Sequence, residues 1–418
     1  MANKIKKIKV LRVLSRLNIG GPSIHTILLS SKLNKNRFQS ILAVGIEGIN
    51  EGNMLNLAAE KSVEPICIPQ MGREISLIKD IISIKEIFLL LVKEKPDIVH
   101  THTAKAGFLG RISVIIFNFI FLGIFNVQKS KIKVFHTFHG NVLKGYFGKS
   151  KSIIFLYIEK FLAMFTTKII CITEMQKKEL YDFGLAKYSK LTTIPLGLEL
   201  KNFLSTNNYL RQLRIELGIS DNTIVFGVIA RLVPIKNHML FLKAIMNLLN
   251  QNRKYDIRVI IVGDGENRIK LEKFVKRNNL SDFIYFLGFR HDLEKIYNAL
   301  DVVVLCSKNE GTPVALIEAM ASNLPVISTN VGGVGDLLGV GKIKINPNEY
   351  AVLDCGIIVN SEDHIGLSNA MKYLLHKPKK RKLMGQNSKK MVFPKYDISR
   401  LCRNIESLYL NHLHSNNV

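Results

Sequence analysis

Short apolar, β-favouring runs alternate with helical lengths along the whole chain. Residues 8–14 form the first run, which ends at Ser15. The loop Asn18-Ile19-Gly20-Gly21-Pro22 then leads into an apolar helical stretch over 23–33. The alternation continues with strands expected over 40–44, 65–68, 97–100, 133–138 and 169–172, and helices over 54–60, 75–93 and 152–165. Strands that are apolar throughout, separated by helical lengths, predict a parallel sheet covered on both faces.

A second series begins after Ile194-Pro195-Leu196-Gly197. Residues 198–222, with Asn, Ser, Thr and a charged helix, read as the connection and entry helix. Strands follow over 223–229, 257–262, 284–287, 302–306, 325–328 and 356–359, with helices over 236–249, 267–278, 293–299 and 314–321. The fold class is therefore α/β, with two doubly wound, Rossmann-like domains at 1–197 and 198–385. A helical segment at 386–418 is expected to pack back toward the first domain. Ligands of such folds bind beyond the carboxyl ends of the strands, so a central cleft faced by both domains is the expected site. Residues 371–395 hold nine Lys or Arg and no Asp or Glu, a basic surface ahead of the last apolar helix.

At 418 residues with 47 % hydrophobic positions, the chain is long enough for two or three domains and too apolar to be disordered as a whole. Fifty-nine Lys and Arg against 33 Asp and Glu give a net charge of +26, a field that draws nucleotides, nucleic acid or an acidic membrane. Cys67, Cys171, Cys306, Cys355 and Cys402 stand far apart without a CxxC pair, which favours a reducing compartment. Arg12 interrupts the apolar run near the start, so no secretion leader is read. The stretch 112–128 barely reaches spanning length and contains Asn118 and Asn126, which favours a surface or buried helix.

Several loops carry candidate chemistry. Gly20 and Gly21 follow the first strand, where backbone amides at a helix start can meet a phosphate or sugar; a tight turn explains them equally well. His25 early in the next helix reads as a half-buried polar residue. Gly263-Asp264-Gly265 ends another strand and offers close backbone approach to a nucleotide, or a plain turn. Arg231 and Lys236 follow the strand over 223–229 and together can neutralise a diphosphate. Cations at a helix start oppose its dipole unless an anion lies between them.

The densest constellation is Ser307-Lys308-Asn309-Glu310-Gly311-Thr312-Pro313-Val314-Ala315-Leu316-Ile317-Glu318. Thr312 is the expected N-cap and Pro313 the first helical residue, which leaves the amides of Gly311, Thr312 and Val314 for a phosphate. Glu310 on the loop and Glu318 two turns later suit separate hydroxyl partners, while a capping acid and a solvated helix acid are the plain alternatives. His100, His102, His136 and His139 lie near strand ends. They complete no metal-ligand spacing with an Asp, Glu or Cys, so no metal site is assigned. His139-Gly140 is the better candidate, since the imidazole can bond a sugar hydroxyl beside an open glycine. Lys105 and Arg111 are expected in solvent, or one of them at an acidic acceptor. Ser23, Ser307 and Cys306 have no base partner in the sequence, which argues against a covalent nucleophile.

From Glu310 to Glu318 the sequence resembles the acid, seven residues, acid signature of retaining GT-B glycosyltransferases, in particular family 4 (glycosyl transferases group 1). Gly20-Gly21-Pro22 resembles the family's N-terminal glycine loop, His139-Gly140 its substrate-loop histidine, and Arg231 with Lys236 its cationic pair. The matching order spans most of residues 8–360. Residues 101–107 and 135–140 also resemble bacterial surface-polysaccharide members, whereas Asp336 stands where such enzymes often place Glu. The resemblance implies a GT-B fold with an acceptor-binding first domain and a donor-binding second domain. The implied donor is a nucleotide diphospho-sugar, UDP-linked and foremost a UDP-N-acetylhexosamine, with GDP-linked donors open. The implied acceptor is saccharide or lipid-linked. Arg231 and Lys236 would bind the diphosphate, Glu310 the donor-sugar hydroxyls, Glu318 the ribose, and His139 would position the transferred sugar. Gly263, Gly265, Gly311, Thr312, Pro313 and Val314 would approach the donor. Transfer would retain anomeric configuration by a same-face route, with no cofactor and no essential metal.

A cytoplasmic location is expected, in line with the scattered cysteines. Apolar runs at 77–91 and 112–125, with Lys129, Lys131, Lys133, Lys144, Lys149 and Lys151 nearby, suggest in addition a peripheral position on the anionic inner membrane; packing against the sheet is the alternative. Nucleotide-sugar epimerisation is the nearest competing enzyme activity. A nucleic-acid binder or a noncatalytic scaffold would explain the charge but leave the cations and acids near the strand ends without a task. Oligomeric state is not encoded in any feature of the sequence.

Overall fold

The computed structural model describes residues 6–48, 52–72, 74–124, 131–140, 149–204, 212–340 and 343–413. The chain divides into two compact units, Met1–Leu198 with Ile398–Val418, and Glu199–Asp397.

In the first unit β1 (Ile8–Leu14), α1 (Gly21–Lys32), β2 (Phe38–Val44), α2 (Leu55–Glu60), β3 (Pro65–Cys67), α3 (Leu77–Glu94) and β4 (Ile98–His102) lead the chain. There follow α4 (Ala104–Asn118), β5 (Lys133–Phe138), α5 (Lys149–Met164), β6 (Lys168–Cys171), α6 (Glu174–Asp182) and β7 (Leu191–Thr193). The seven strands are all parallel, in the order β3-β2-β1-β4-β5-β6-β7. Both faces are buried, since β1 from Val10 onward and every residue of β4 are buried at consecutive positions, polar His and Arg included. The order reverses between β1 and β4, the switch point at which such sheets open a crevice at their carboxyl ends.

The second unit opens with α7 (Lys201–Leu204) and α8 (Gln212–Glu216), then β8 (Ile224–Ile229), α9 (His238–Gln251), β9 (Ile257–Val262), α10 (Arg268–Arg277), β10 (Ile284–Gly288) and α11 (Leu293–Ala299). Next come β11 (Val302–Leu305), α12 (Val314–Ala321), β12 (Val326–Thr329), α13 (Val334–Leu337), β13 (Tyr350–Val352), β14 (Gly356–Val359), α14 (His364–His376) and α15 (Pro378–Val392). Its sheet runs β10-β9-β8-β11-β12-β14-β13, with the switch point between β8 and β11. Only β13, an antiparallel edge strand, departs from the parallel order.

Two boundaries differ from the sequence reading. Position 385/386 falls inside α15, whose Met384, Ser388 and Val392 are buried within the second unit. Only α16 (Ile398–Leu413) joins the first unit, where Leu401, Ile405 and Tyr409 enter the core formed by Val10, Leu29 and Phe135. The basic stretch 371–395 also starts inside a core helix, since Met371 of α14 is fully buried.

Candidate active site

In the second unit the site is assembled at the β8/β11 switch point. The chain leaving β8 passes Arg231 and forms a short 3-10 turn over Pro234–Lys236. The chain leaving β11 brings Ser307 and Glu310 beside it. Lys236 Nζ donates to Glu310 Oε1 at 2.5 Å, and Ser307 Oγ donates to the same oxygen at 2.5 Å. The two loops are also tied through backbone, Lys308 N donating to Ile235 O at 2.8 Å. Lys236 and Glu310 thus form one fixed charge pair, with the ammonium partly open to solvent. This geometry also answers the dipole objection, because the carboxylate beside Lys236 supplies the compensating anion. Ser307, which had been weighed only as a nucleophile, instead orients Glu310.

Glycines place Arg231 and Glu310 from behind. Gly263 and Gly265, at φ +128° and +154°, lie against the loop after β8; a Cβ on Gly263 would sit 2.1 Å from Ala230 O, and one on Gly265 2.7 Å from Leu232 O. These glycines let two loops touch, so the close approach they permit is to protein backbone rather than to a ligand. Gly20 and Gly140 are different: among the described residues a Cβ on Gly140 would meet nothing within 4 Å, and one on Gly20 only Pro22 Cδ at 3.9 Å. Both leave backbone accessible at strand ends of the first unit.

Further details diverge from expectation. Pro313, not Thr312, is the N-cap of α12, and the buried Thr312 Oγ1 has no hydrogen-bond partner among the described residues. Gly311, Thr312, Pro313 and Val314 still form the turn from Glu310 into that helix. Glu318 is not a solvated acid. It is 7 % exposed, and its Oε2 accepts from Tyr297 Oη at 2.9 Å. Burial pushes its pKa up to about 7, with the Glu294 charge adding to the rise and the tyrosine bond opposing it. No periodicity linked Tyr297, on α11, to Glu318; only the fold brings them together.

The first unit sorts the histidines by face. His100 and His102, two residues apart on β4, share a face with Arg12 of β1, whereas His136 lies beside Gly107 of α4 on the other. His100 is buried and satisfied, bonding Tyr409 Oη at 2.6 Å and Thr137 Oγ1 at 2.7 Å. His136 is buried as well, its Nδ1 2.8 Å from Thr101 Oγ1. Neither offers a polar loop, because both sit within strands. His139 leaves the end of β5 and lies 3.0 Å from His102 Nδ1, with His25 of α1 edge-on to it. Burial lowers the His139 pKa to about 4, so the ring is neutral. His25 is fully buried rather than half-buried.

Lys105 and Arg111 are not free for an acceptor. Lys105 pairs with Asp80 at 2.7 Å, and Arg111 makes a bidentate bond to Glu159 at 2.7 and 2.8 Å, both partners buried. Burial raises the Cys306 thiol to about 12, so it stays protonated and donates to Lys236 O at 3.2 Å.

Comparison with known proteins gives the family and the fold. Residues 19–202 match the family described as Glycosyltransferase Family 4, and residues 211–391 match Glycosyl transferases group 1. The chain is 32 % identical over 359 residues to an Escherichia coli UDP-Gal:alpha-D-GlcNAc-diphosphoundecaprenol alpha-1,3-galactosyltransferase, covering 84 % of this chain and 85 % of the relative. It is 27 % identical over 352 residues to the capsular polysaccharide biosynthesis glycosyltransferase CapM of Staphylococcus aureus, covering 81 % and 83 %. Anabaena HepE, solved with UDP, superposes with a TM-score of 0.76 at 17 % identity over 97 % of this chain and 100 % of that one. The chain is a member of glycosyltransferase family 4, the glycosyl transferases group 1, and has the GT-B fold of two Rossmann-like units.

Proposed function

We propose that this enzyme transfers a hexose or N-acetylhexosamine from a UDP-sugar, with retained anomeric configuration, to a lipid-diphosphate-linked saccharide in surface-polysaccharide synthesis. The carrying observation is the Lys236–Glu310 pair at the β8/β11 switch point. As the anomeric carbon–oxygen bond breaks, negative charge grows on the β-phosphate, where Lys236, Arg231 and the amides leading into α12 stabilise it. Glu310, already held by Lys236 and Ser307, is left one oxygen for a donor-sugar hydroxyl. Glu318 takes the ribose of the same donor. The acceptor oxygen bonds to the anomeric carbon on the face the diphosphate leaves, and its proton passes to the departing phosphate. No metal is assigned to these steps, since Lys236 and Arg231 supply the positive charge.

Support for the donor and acceptor comes from the printed names of the E. coli relative and from HepE, solved with UDP. The test is a panel of UDP- and GDP-sugars with a GlcNAc-diphospholipid acceptor, the product's anomeric configuration being read by NMR. An α-linked product from a UDP-α-sugar is expected; an inverted linkage, or an altered free donor with no product, overturns the reading. Lys236→Ala and Glu310→Gln are each expected to lower kcat/KM by about 100-fold or more.

Peripheral membrane attachment is part of the proposal. Ser83, Ile87, Leu90 and Leu91 of α3 are buried, yet Leu77 and Ile78 in its first turn are 77 % and 74 % exposed, as are Ile75 and Ile81 beside them. Such a row exceeds the scattered apolar exposure of an ordinary surface and suits an interfacial helix. Lys79, Lys85, Lys131 and Lys133 belong to the same unit, whereas Lys129, Lys144 and the side chains of Lys149 and Lys151 lie outside the described residues. One stretch, Ala104–Ile124, is long and apolar enough to span a bilayer, but Ala106, Leu109, Val114 and Phe117 fix it in the core.

A further inference from the structure

His25, His102 and His139 converge at the switch point of the first unit, and we propose that they form a binding site for one late first-row divalent cation such as Zn2+ or Co2+. Their donor nitrogens all lie within 4.8 Å of one another. Two imidazole nitrogens on a tetrahedral zinc stand about 3.3 Å apart. The His102–His139 pair is already at 3.0 Å, so the set needs a contraction of no more than about 1.5 Å to close on an ion.

The spare valences of these rings point to a ligand. Among the described residues, both ring nitrogens of His25 and Nε2 of His102 are buried without a hydrogen-bond partner. Buried polar groups are almost always satisfied, so His25 calls for a partner that one of its nitrogens can ligate, beside His102 Nδ1 and His139 Nε2. His100 cannot join, since both its nitrogens are engaged. Sequence spacing hid the set because its members come from the start of α1, the end of β4 and the loop after β5.

The ligand chemistry selects the ion. Three neutral imidazoles suit zinc, cobalt, nickel or copper and disfavour magnesium or calcium, which want oxygen. Fully buried Arg12, and Arg400, add positive charge near the rings. That field opposes a bare dication and requires an anion in the fourth position: hydroxide, chloride or a phosphate oxygen. Partly exposed His139 and the open space at Gly140 give the ion and that anion a way in. The site stands on the histidine geometry alone and holds whether or not the transferase proposal does.

The test uses the full chain, stripped with chelator and titrated with Co2+ by visible absorption and with Zn2+ by calorimetry. One ion per chain is expected, with intense tetrahedral cobalt bands and no heat from Mg2+ under the same conditions. His25→Ala and His102→Asn should each weaken the ion at least tenfold, with folding checked by circular dichroism; His376→Ala, an exposed histidine elsewhere, should not. Absence of stoichiometric binding to the unmutated chain overturns the proposal, even if the variants fail to fold. So does loss of binding in His376→Ala, or unchanged affinity in a folded His25→Ala chain.

Discussion

Glu318 has an ordinary chemistry made unusual by its surroundings, because α12 buries its carboxyl beside Tyr297 and holds its pKa at about 7. The folded chain then keeps a proton that the unfolded chain releases near 4.5. Stability from this group is complete below that pH and is lost as pH rises through 7. Glu318→Gln should therefore remove a pH-dependent loss of about 3 kcal/mol between pH 4 and pH 8, read as the difference between the two proteins in urea unfolding. Gly332 sets a second constraint at this scale. Its φ is +50°, and a Cβ there would lie 1.8 Å from Glu310 O. Gly332→Ala must push the Glu310 loop aside, and at least tenfold lower transfer activity is expected with the donor-binding fold intact by circular dichroism. The acid pair itself was legible in the sequence. Its surroundings were not: Ser307 reaches Glu310 across a loop, and Tyr297 reaches Glu318 from another helix.

At the level of elements, glycines and ion pairs hold the helices and loops that present the site. Gly107 and Gly110 let α4 approach His136 and Thr101, and one turn beyond Gly107 on the same side of α4 Arg111 pairs with Glu159 of α5. Removing one partner of a buried pair strands the other charge, so Glu159→Gln is expected to cost about 3–5 kcal/mol in urea unfolding. Parallel strands and most long helices followed from apolar runs, within a residue or two at most boundaries, but α4 was read eight residues late, over 112–128, and α14 and α15 had no bounds of their own. Short or marginal elements did not. The edge strand β13 has only Tyr350–Val352 to announce it, and α6 is a polar helix with little apolar stripe. Lys105 and Arg111 read as surface cations because a sequence gives charge but not the carboxylate that folding brings to it.

For the whole molecule, the proposed attachment to an anionic membrane combines a net charge of +26 with the exposed apolar row on α3. Binding to vesicles containing phosphatidylglycerol should exceed binding to neutral vesicles and weaken between 50 and 300 mM salt, in keeping with a screening length of about 10 Å at 0.1 M. Ile78→Asp with Ile81→Asp should reduce flotation with anionic vesicles at least fivefold; equal flotation would remove α3 from the attachment. The sequence by itself determined two parallel sheets, their place in the chain and the residue types at the strand ends, because apolar period and turn chemistry are local properties. The tertiary structure decided which of those residues meet. Lys236 with Glu310, Glu318 with Tyr297, and His25 with His102 and His139 join distant stretches of chain at the carboxyl ends of neighbouring strands or across packed helices. Such contacts depend on strand order and on which sheet face a side chain takes, neither of which any single segment of sequence encodes.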